Sequence, residues 1–130
     1  MVSEFKPRDA RIFQPYSDEI PWELLRQGRS ADPEYADEAR MRVAKLDGEV
    51  IGVYVVEPVD ALCFRLVELV VAASHREHGL GRWLLGHAIG LAESKGAREI
   101  VVRAQSRRRF FARVGFEEHG ADLKLTLTPE

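Results

Sequence analysis

Leu66-Val67-Glu68-Leu69-Val70-Val71-Ala72-Ala73-Ser74-His75-Arg76-Glu77-His78-Gly79-Leu80-Gly81-Arg82-Trp83-Leu84-Leu85 joins two kinds of sequence pattern across a pair of glycines. An apolar, β-rich run leads into a glycine-punctuated turn and then into helical spacing, which reads as strand, loop and helix. Gly79 and Gly81 stand where the helix begins. Backbone N–H groups without intrahelical partners can converge there with no Cβ atoms in the way, and the helix dipole adds partial positive charge. That is an anion site suited to phosphate, bracketed by the cations Arg76 and Arg82. The plainer alternative is a tight turn into a buried helix. Two other phosphate loops fail on spacing: there is neither Gly-x-Gly-x-x-Gly in a first βα unit nor Gly-Lys-Ser/Thr after a second glycine.

Downstream, Leu80, Leu84, Ala88 and Leu91, flanked by Leu85, Ile89 and Ala92, keep helical spacing until Gly96 stops the helix. Gly86 and Gly90 each cost about 1 kcal/mol against Ala inside a helix, which close approach to a strand would offset. Residues 99–104 form a short strand reached by helical crossover, hence parallel to the strand ending at Val71. A gap can open between those strand ends, near Val71 and Ala104. Ser106 is expected to cap a short helix through Arg113 that Gly115 terminates, and Phe116 re-enters the sheet. Residues 123–128 alternate strictly and read as a last, half-exposed strand whose edge would let two copies pair as a homodimer.

Upstream, residues 41–46 and 49–57 flank Asp47-Gly48, which supplies the positive φ of a tight hairpin. Residues 58–60 make a second turn and residues 62–71 the third strand, so three consecutive antiparallel strands form the middle of the sheet. A helix is expected from Ser17 or Asp18 as N-cap, with Pro21 in its first turn, to Gly28. A short strand precedes it within residues 1–16. Residues 31–38 read as an acidic loop with one helical turn after Pro33.

Two motifs in order, Arg76-x-x-Gly79-x-Gly81 before an amphipathic helix and Phe110-Phe111-Ala112-Arg113-Val114-Gly115-Phe116, resemble the Gcn5-related N-acetyltransferase (GNAT) superfamily. The resemblance covers most of the chain. It implies one acetyltransferase domain over residues 1–130, of α/β (α+β) class. Its mixed, mostly antiparallel central sheet would be flanked by helices and splayed between the strands ending near Val71 and Ala104. It implies acetyl-coenzyme A as cofactor, with the pyrophosphate on Arg76, Glu77, His78, Gly79, Leu80, Gly81 and Arg82. The pantetheine arm would lie along Leu69, Val70 and Val71, where a backbone N–H near Val70 or Val71 acts on the thioester oxygen. Ser106, Arg109 and Phe111 complete the cofactor contacts. Trp22, Tyr35 and Tyr54 are candidate acceptor contacts, with Asp37 and Glu38 beside them, although a solvated acidic loop is the plainer reading of 31–38. The family usually has a tyrosine at Phe111 to protonate the departing thiolate and an asparagine at Ala104. Tyr54, Ser106 or water are the alternative proton donors.

Acetyl transfer to an amine needs a held donor, a polarised carbonyl and a deprotonated nucleophile. Glu68 is the candidate base, because desolvation inside Leu66-Val67-Glu68-Leu69-Val70 would raise its pKa. Many family members carry the acid further upstream, at Arg65, and Glu68 has the alternatives of facing solvent or pairing with Arg65 or Arg103. His75 and His78 are nearby proton relays or exposed residues. Arg107-Arg108-Arg109 with Arg113 reads as a solvated helix face, a contact for coenzyme A phosphates, or an anionic-partner surface. Cys63 is a small core or cofactor-pocket residue.

The 130 residues carry 45% hydrophobic and 31% charged side chains at net charge −2, which fits one globular domain and gives no global attraction to nucleic acid or anionic membrane. One cysteine excludes an intramolecular disulfide and suits a reducing, cytoplasmic setting; no apolar run reaches membrane-span length and no metal-ligand set is expected. The leading expectation is an N-acetyltransferase acting on a small-molecule or peptide amine in a ternary complex. The alternatives are a catalytically weak or inactive acyl-coenzyme A-binding regulatory module of the same fold and, more remotely, an α/β nucleic-acid-binding domain.

Overall fold

The computed structural model describes residues 10–27, 38–76, 79–103 and 107–127. Seven strands form one sheet in the order β1-β2-β3-β4-β5-β7-β6. They are β1 (Arg11–Phe13), β2 (Met41–Leu46), β3 (Glu49–Pro58), β4 (Cys63–Val71), β5 (Glu99–Arg103), β6 (Glu117–His119) and β7 (Asp122–Thr126). The helices are α1 (Trp22–Arg26), α2 (Leu80–Ser94) and α3 (Arg108–Val114). All pairings are antiparallel except β4 with β5. The expected mixed sheet with its antiparallel middle is therefore the observed one.

The β2–β3 hairpin turns on Asp47 at φ 51° and Gly48 at φ 81°, the paired positive values that a two-residue loop matched to strand twist requires. Each sheet face carries its own core. On one, Leu80, Leu84, Leu85, Ala88 and Ala92 of α2 and Phe111 of α3 pack on Ile51, Tyr54, Leu69 and Val71. On the other, Leu24 and Leu25 of α1 cover Met41, Val43, Val53, Val55 and Val70.

Several local expectations need correction. Residues 17–26 do not make one helix: Ser17–Glu19 is a 3-10 turn and α1 starts anew at Trp22, with Pro21 as its N-cap. Proline forces Ile20 into extended backbone, at ψ 122°, and so separates the two. Arg107, not Ser106, stands at the N-cap of α3, and Ser106 lies outside the described residues, as does the turn expected after Pro33. The final strand is no free edge: β7 pairs with β5 on one side and β6 on the other. β6 escapes the pattern because Glu117, Glu118 and His119 are all polar and exposed. A dimer built on the edge of residues 123–128 therefore loses its argument.

The glycines of α2 also behave differently from expectation. A Cβ at Gly86 or Gly90 would meet nothing within 4 Å, so neither marks a close approach. The tight contact comes from the strand side, where a Cβ at Gly52 would stand 2.6 Å from Leu84 Cδ1 and 3.4 Å from the Val70 carbonyl oxygen. Leu84 is fully buried and has little room to yield. Gly52→Ala is expected to cost about 1–3 kcal/mol by overpacking, read as a lower urea midpoint.

Candidate active site

The site begins with a break in the sheet. β4 and β5 pair only at Cys63↔Glu99, Phe64↔Ile100 and Arg65↔Val101. Just beyond, Glu68 opposes Val55 while Leu66 opposes Val56, so β4 carries one extra residue at Val67. Such a bulge bends its strand and ends regular pairing. From Leu66 to Val71 β4 thus runs without β5 beside it, and a cleft opens toward the α2 N-terminus.

The open edge can be assigned group by group. Ala72 donates its N–H to Ile51 of β3 over 2.8 Å, and strand residues alternate the side to which N–H and C=O point. Val70 therefore addresses β3, whereas Leu69 and Val71 address the cleft. The carbonyls agree: Arg107 Nη2 donates to Leu69 O over 2.6 Å and Arg76 Nε to Val71 O over 3.1 Å. Of the two N–H groups left open by sequence, Val71 has the one that faces the cleft.

Gly79 caps α2 with φ 85°, a left-handed conformation that favours glycine, and the first intrahelical bond runs from Trp83 N to Gly79 O at 3.1 Å. The N–H groups of Leu80, Gly81 and Arg82 therefore have no acceptor within the helix. Leu80 is wholly buried and anchors the turn, while Arg82 is exposed. A Cβ on Gly81 would touch Phe110 at 3.6 Å and Val71 at 3.7 Å, so the helix end, α3 and β4 meet at this one glycine. Glu77 and His78 lie outside the described residues.

Arg76 makes two contacts within the protein. Besides Val71, its guanidinium binds Gln27 Oε1 over 3.2 Å, tying the loop to the end of α1. These bonds brace the loop, while the N–H groups at the start of α2 have no acceptor within the helix. The arginine run is likewise divided: Arg107 reaches into the cleft, Arg108 pairs with Glu118 at 2.7 Å, and Arg109 is exposed. Sequence reasoning does not separate Arg107 from its neighbours, because only the tertiary fold brings β4 within its reach.

Glu68 is the one buried charged side chain among the described residues, 5% exposed. Opposite Val55 and two residues before Val70, it shares the face that α1 covers. It therefore does not face solvent. Trp22 lies on the same side, 38% exposed. Tyr35 is outside the described residues. Tyr54 belongs to the opposite face, has no exposed surface, and shares a 2.6 Å hydrogen bond between its hydroxyl and His87 Nδ1. Burial pushes its phenol pKa well up, so it is unsuited both to touching an acceptor and to giving up a proton. Phe111 is buried, with edge-on contacts to Phe110 and Phe116. His75 pairs with Ser74 at 2.9 Å. Cys63 sits at the far end of β4, about 26 Å along the strand from Val71 and so well away from the start of α2.

The acetyltransferase (GNAT) family model matches residues 4–116, and the chain belongs to that family. No curated protein sequence matches it. Among solved structures, a GNAT family acetyltransferase from Elizabethkingia anophelis with acetyl-CoA bound superposes with TM-score 0.78 at 21% identity, over 92% of this chain and 99% of that one. N-acetylglutamate synthase from Neisseria gonorrhoeae, complexed with coenzyme A and L-arginine, gives TM-score 0.82 at 21% identity. That match covers 92% of this chain but only 34% of the synthase, so this chain spans about a third of its length. Ard1 from Thermoplasma volcanium gives TM-score 0.74 at 15% identity over 93% and 99% of the two chains. No helix among the described residues is long and apolar enough to cross a membrane.

Proposed function

We propose that the protein is an N-acetyltransferase that transfers the acetyl group of acetyl-coenzyme A directly to an amine in a ternary complex. One observation carries the reading: the open edge of β4 runs from buried Glu68 to Val71 and then into the N–H-lined, glycine-capped start of α2. On this reading the helix end binds the anion, the strand edge that β5 leaves aligns the donor, and the carboxylate lies on the same strand. Coenzyme A solved with fold neighbours such as the Neisseria synthase supports the choice of donor.

The donor supplies an activated thioester. The α2 N-terminus holds the pyrophosphate through the N–H groups of Leu80, Gly81 and Arg82, each such bond contributing about 1.5–3 kcal/mol. The edge of β4 at Leu69 and Val71 aligns the pantetheine arm, and the Val71 N–H donates to the thioester oxygen as negative charge develops there. Glu68 accepts the proton of the acceptor amine, directly or through one water, as nitrogen bonds to the acetyl carbon and the carbon–sulfur bond breaks. Phe111 cannot donate a proton, so the thiolate takes one from solvent; with an ordinary thiol pKa of about 8.5 it is a tolerable leaving group. Trp22, beside the α1 face, contacts the acceptor. A reducing, cytoplasmic setting suits this single-cysteine chain.

The test is amine-dependent thiol release from acetyl-coenzyme A across a panel of small amines, amino acids and peptide N-termini. Stoichiometric acetyl-amine and free thiol are expected with at least one acceptor class. Donor binding with no transfer to any acceptor would make the chain a binding module.

A further inference from the structure

We propose that Arg107 is a latch across the cleft: its guanidinium holds the Leu69 carbonyl and must let go before an extended, amide-bearing ligand arm can pair with β4. The inference deepens the proposed coenzyme A site and rests on that reading. The Leu69 carbonyl lies on the edge of β4 that β5 has left. Arg107, in the segment that follows β5, spans to that carbonyl with a 2.6 Å bond from Nη2. Its guanidinium carbon also stands 5.7 Å from the ring centroids of both Phe110 and Phe111. Cation–π attraction and partial exclusion of water both strengthen a charge-assisted bond made there.

The second open-edge carbonyl, that of Val71, is held from the loop side by Arg76, which is itself anchored to Gln27. Arg107 differs in joining one wall of the cleft to the other. A ligand laid along β4 as an additional strand presents amide N–H donors to the Leu69 carbonyl, in the space that the Arg107 side chain spans. Pantetheine is such an arm, with two amides in an extended chain. The closed latch thus lowers the fraction of protein ready to bind, and apparent affinity falls by that fraction.

Calorimetric titration of coenzyme A and of adenosine 3′,5′-bisphosphate, which has phosphates but no pantetheine, separates a latch from a phosphate contact. Arg107→Met is expected to bind coenzyme A about tenfold more tightly than the unmodified protein. Its affinity for the bisphosphate should stay within about twofold. Arg107→Lys, which keeps the charge without the planar fork, should fall between. Arg107 is exposed overall, so these variants are expected to fold, and thermal unfolding checks it. Unchanged or weaker coenzyme A binding by Arg107→Met overturns the latch, and a parallel loss for both ligands reassigns Arg107 to phosphate. Failure of the unmodified protein to bind either ligand removes the cofactor site itself, and the latch with it.

Discussion

Glu68→Gln is expected to lower kcat near neutral pH by about 10²–10⁴-fold, the range in which a positioned general base acts, with acetyl-coenzyme A affinity nearly unchanged. The substitution keeps shape and removes only the basic oxygen. Glu68 is 5% exposed on the α1 face of β4, whereas the Leu69 and Val71 backbone groups proposed to hold the donor point along the sheet plane into the cleft. Carboxylate and donor contacts are therefore separable by mutation. Because an ordinary alkylamine titrates near pH 10, the deficit should narrow as pH rises and the acceptor loses its proton to solvent. Steady-state kinetics from pH 7 to about pH 9.5 read both effects. Normal kcat in Glu68→Gln across that range would take Glu68 out of the mechanism.

Gly81→Asp is expected to weaken acetyl-coenzyme A binding by at least about 100-fold, the loss of one or two charge-assisted bonds plus like-charge repulsion. Gly81 suits this test better than Gly79. It lies outside the positive-φ glycines, and a Cβ there meets Phe110 and Val71 at ordinary contact distances, so the backbone accommodates a side chain. Gly79 has φ 85°, and any side chain there brings strain that would confuse the reading. The carboxylate at position 81 enters the first turn of α2, where the proposed pyrophosphate contacts lie. An affinity of Gly81→Asp equal to that of the unmodified protein would place the pyrophosphate elsewhere.

The sequence announced the parts of this architecture whose cause is local. Asp47-Gly48 fixes a hairpin because two consecutive positive φ values are a demand on residue type, and both are observed. Gly79 announces the start of α2 for the same reason. The parallel partner of β4 followed from crossover geometry. What was illegible is tertiary. Val67 continues an apolar run and nothing in its identity marks it as the bulge residue, yet that residue puts Glu68 on the α1 face and helps open the cleft. Gly86 and Gly90 looked like packing glycines by their spacing, whereas the contact is made by a strand glycine, Gly52. Arg107 was indistinguishable from Arg108 and Arg109 until β4 came within its reach. Tyr54 reads from sequence as an acceptor contact, whereas the fold buries it on the α2 face with its hydroxyl bonded to His87.

Calorimetric titration of the unmodified protein with acetyl-coenzyme A reads the proposed site itself. The α2 N-terminus and the open edge of β4 predict one site per chain with micromolar affinity, about −8 kcal/mol. Absence of saturable binding would contradict the account and leave the cleft without its proposed occupant.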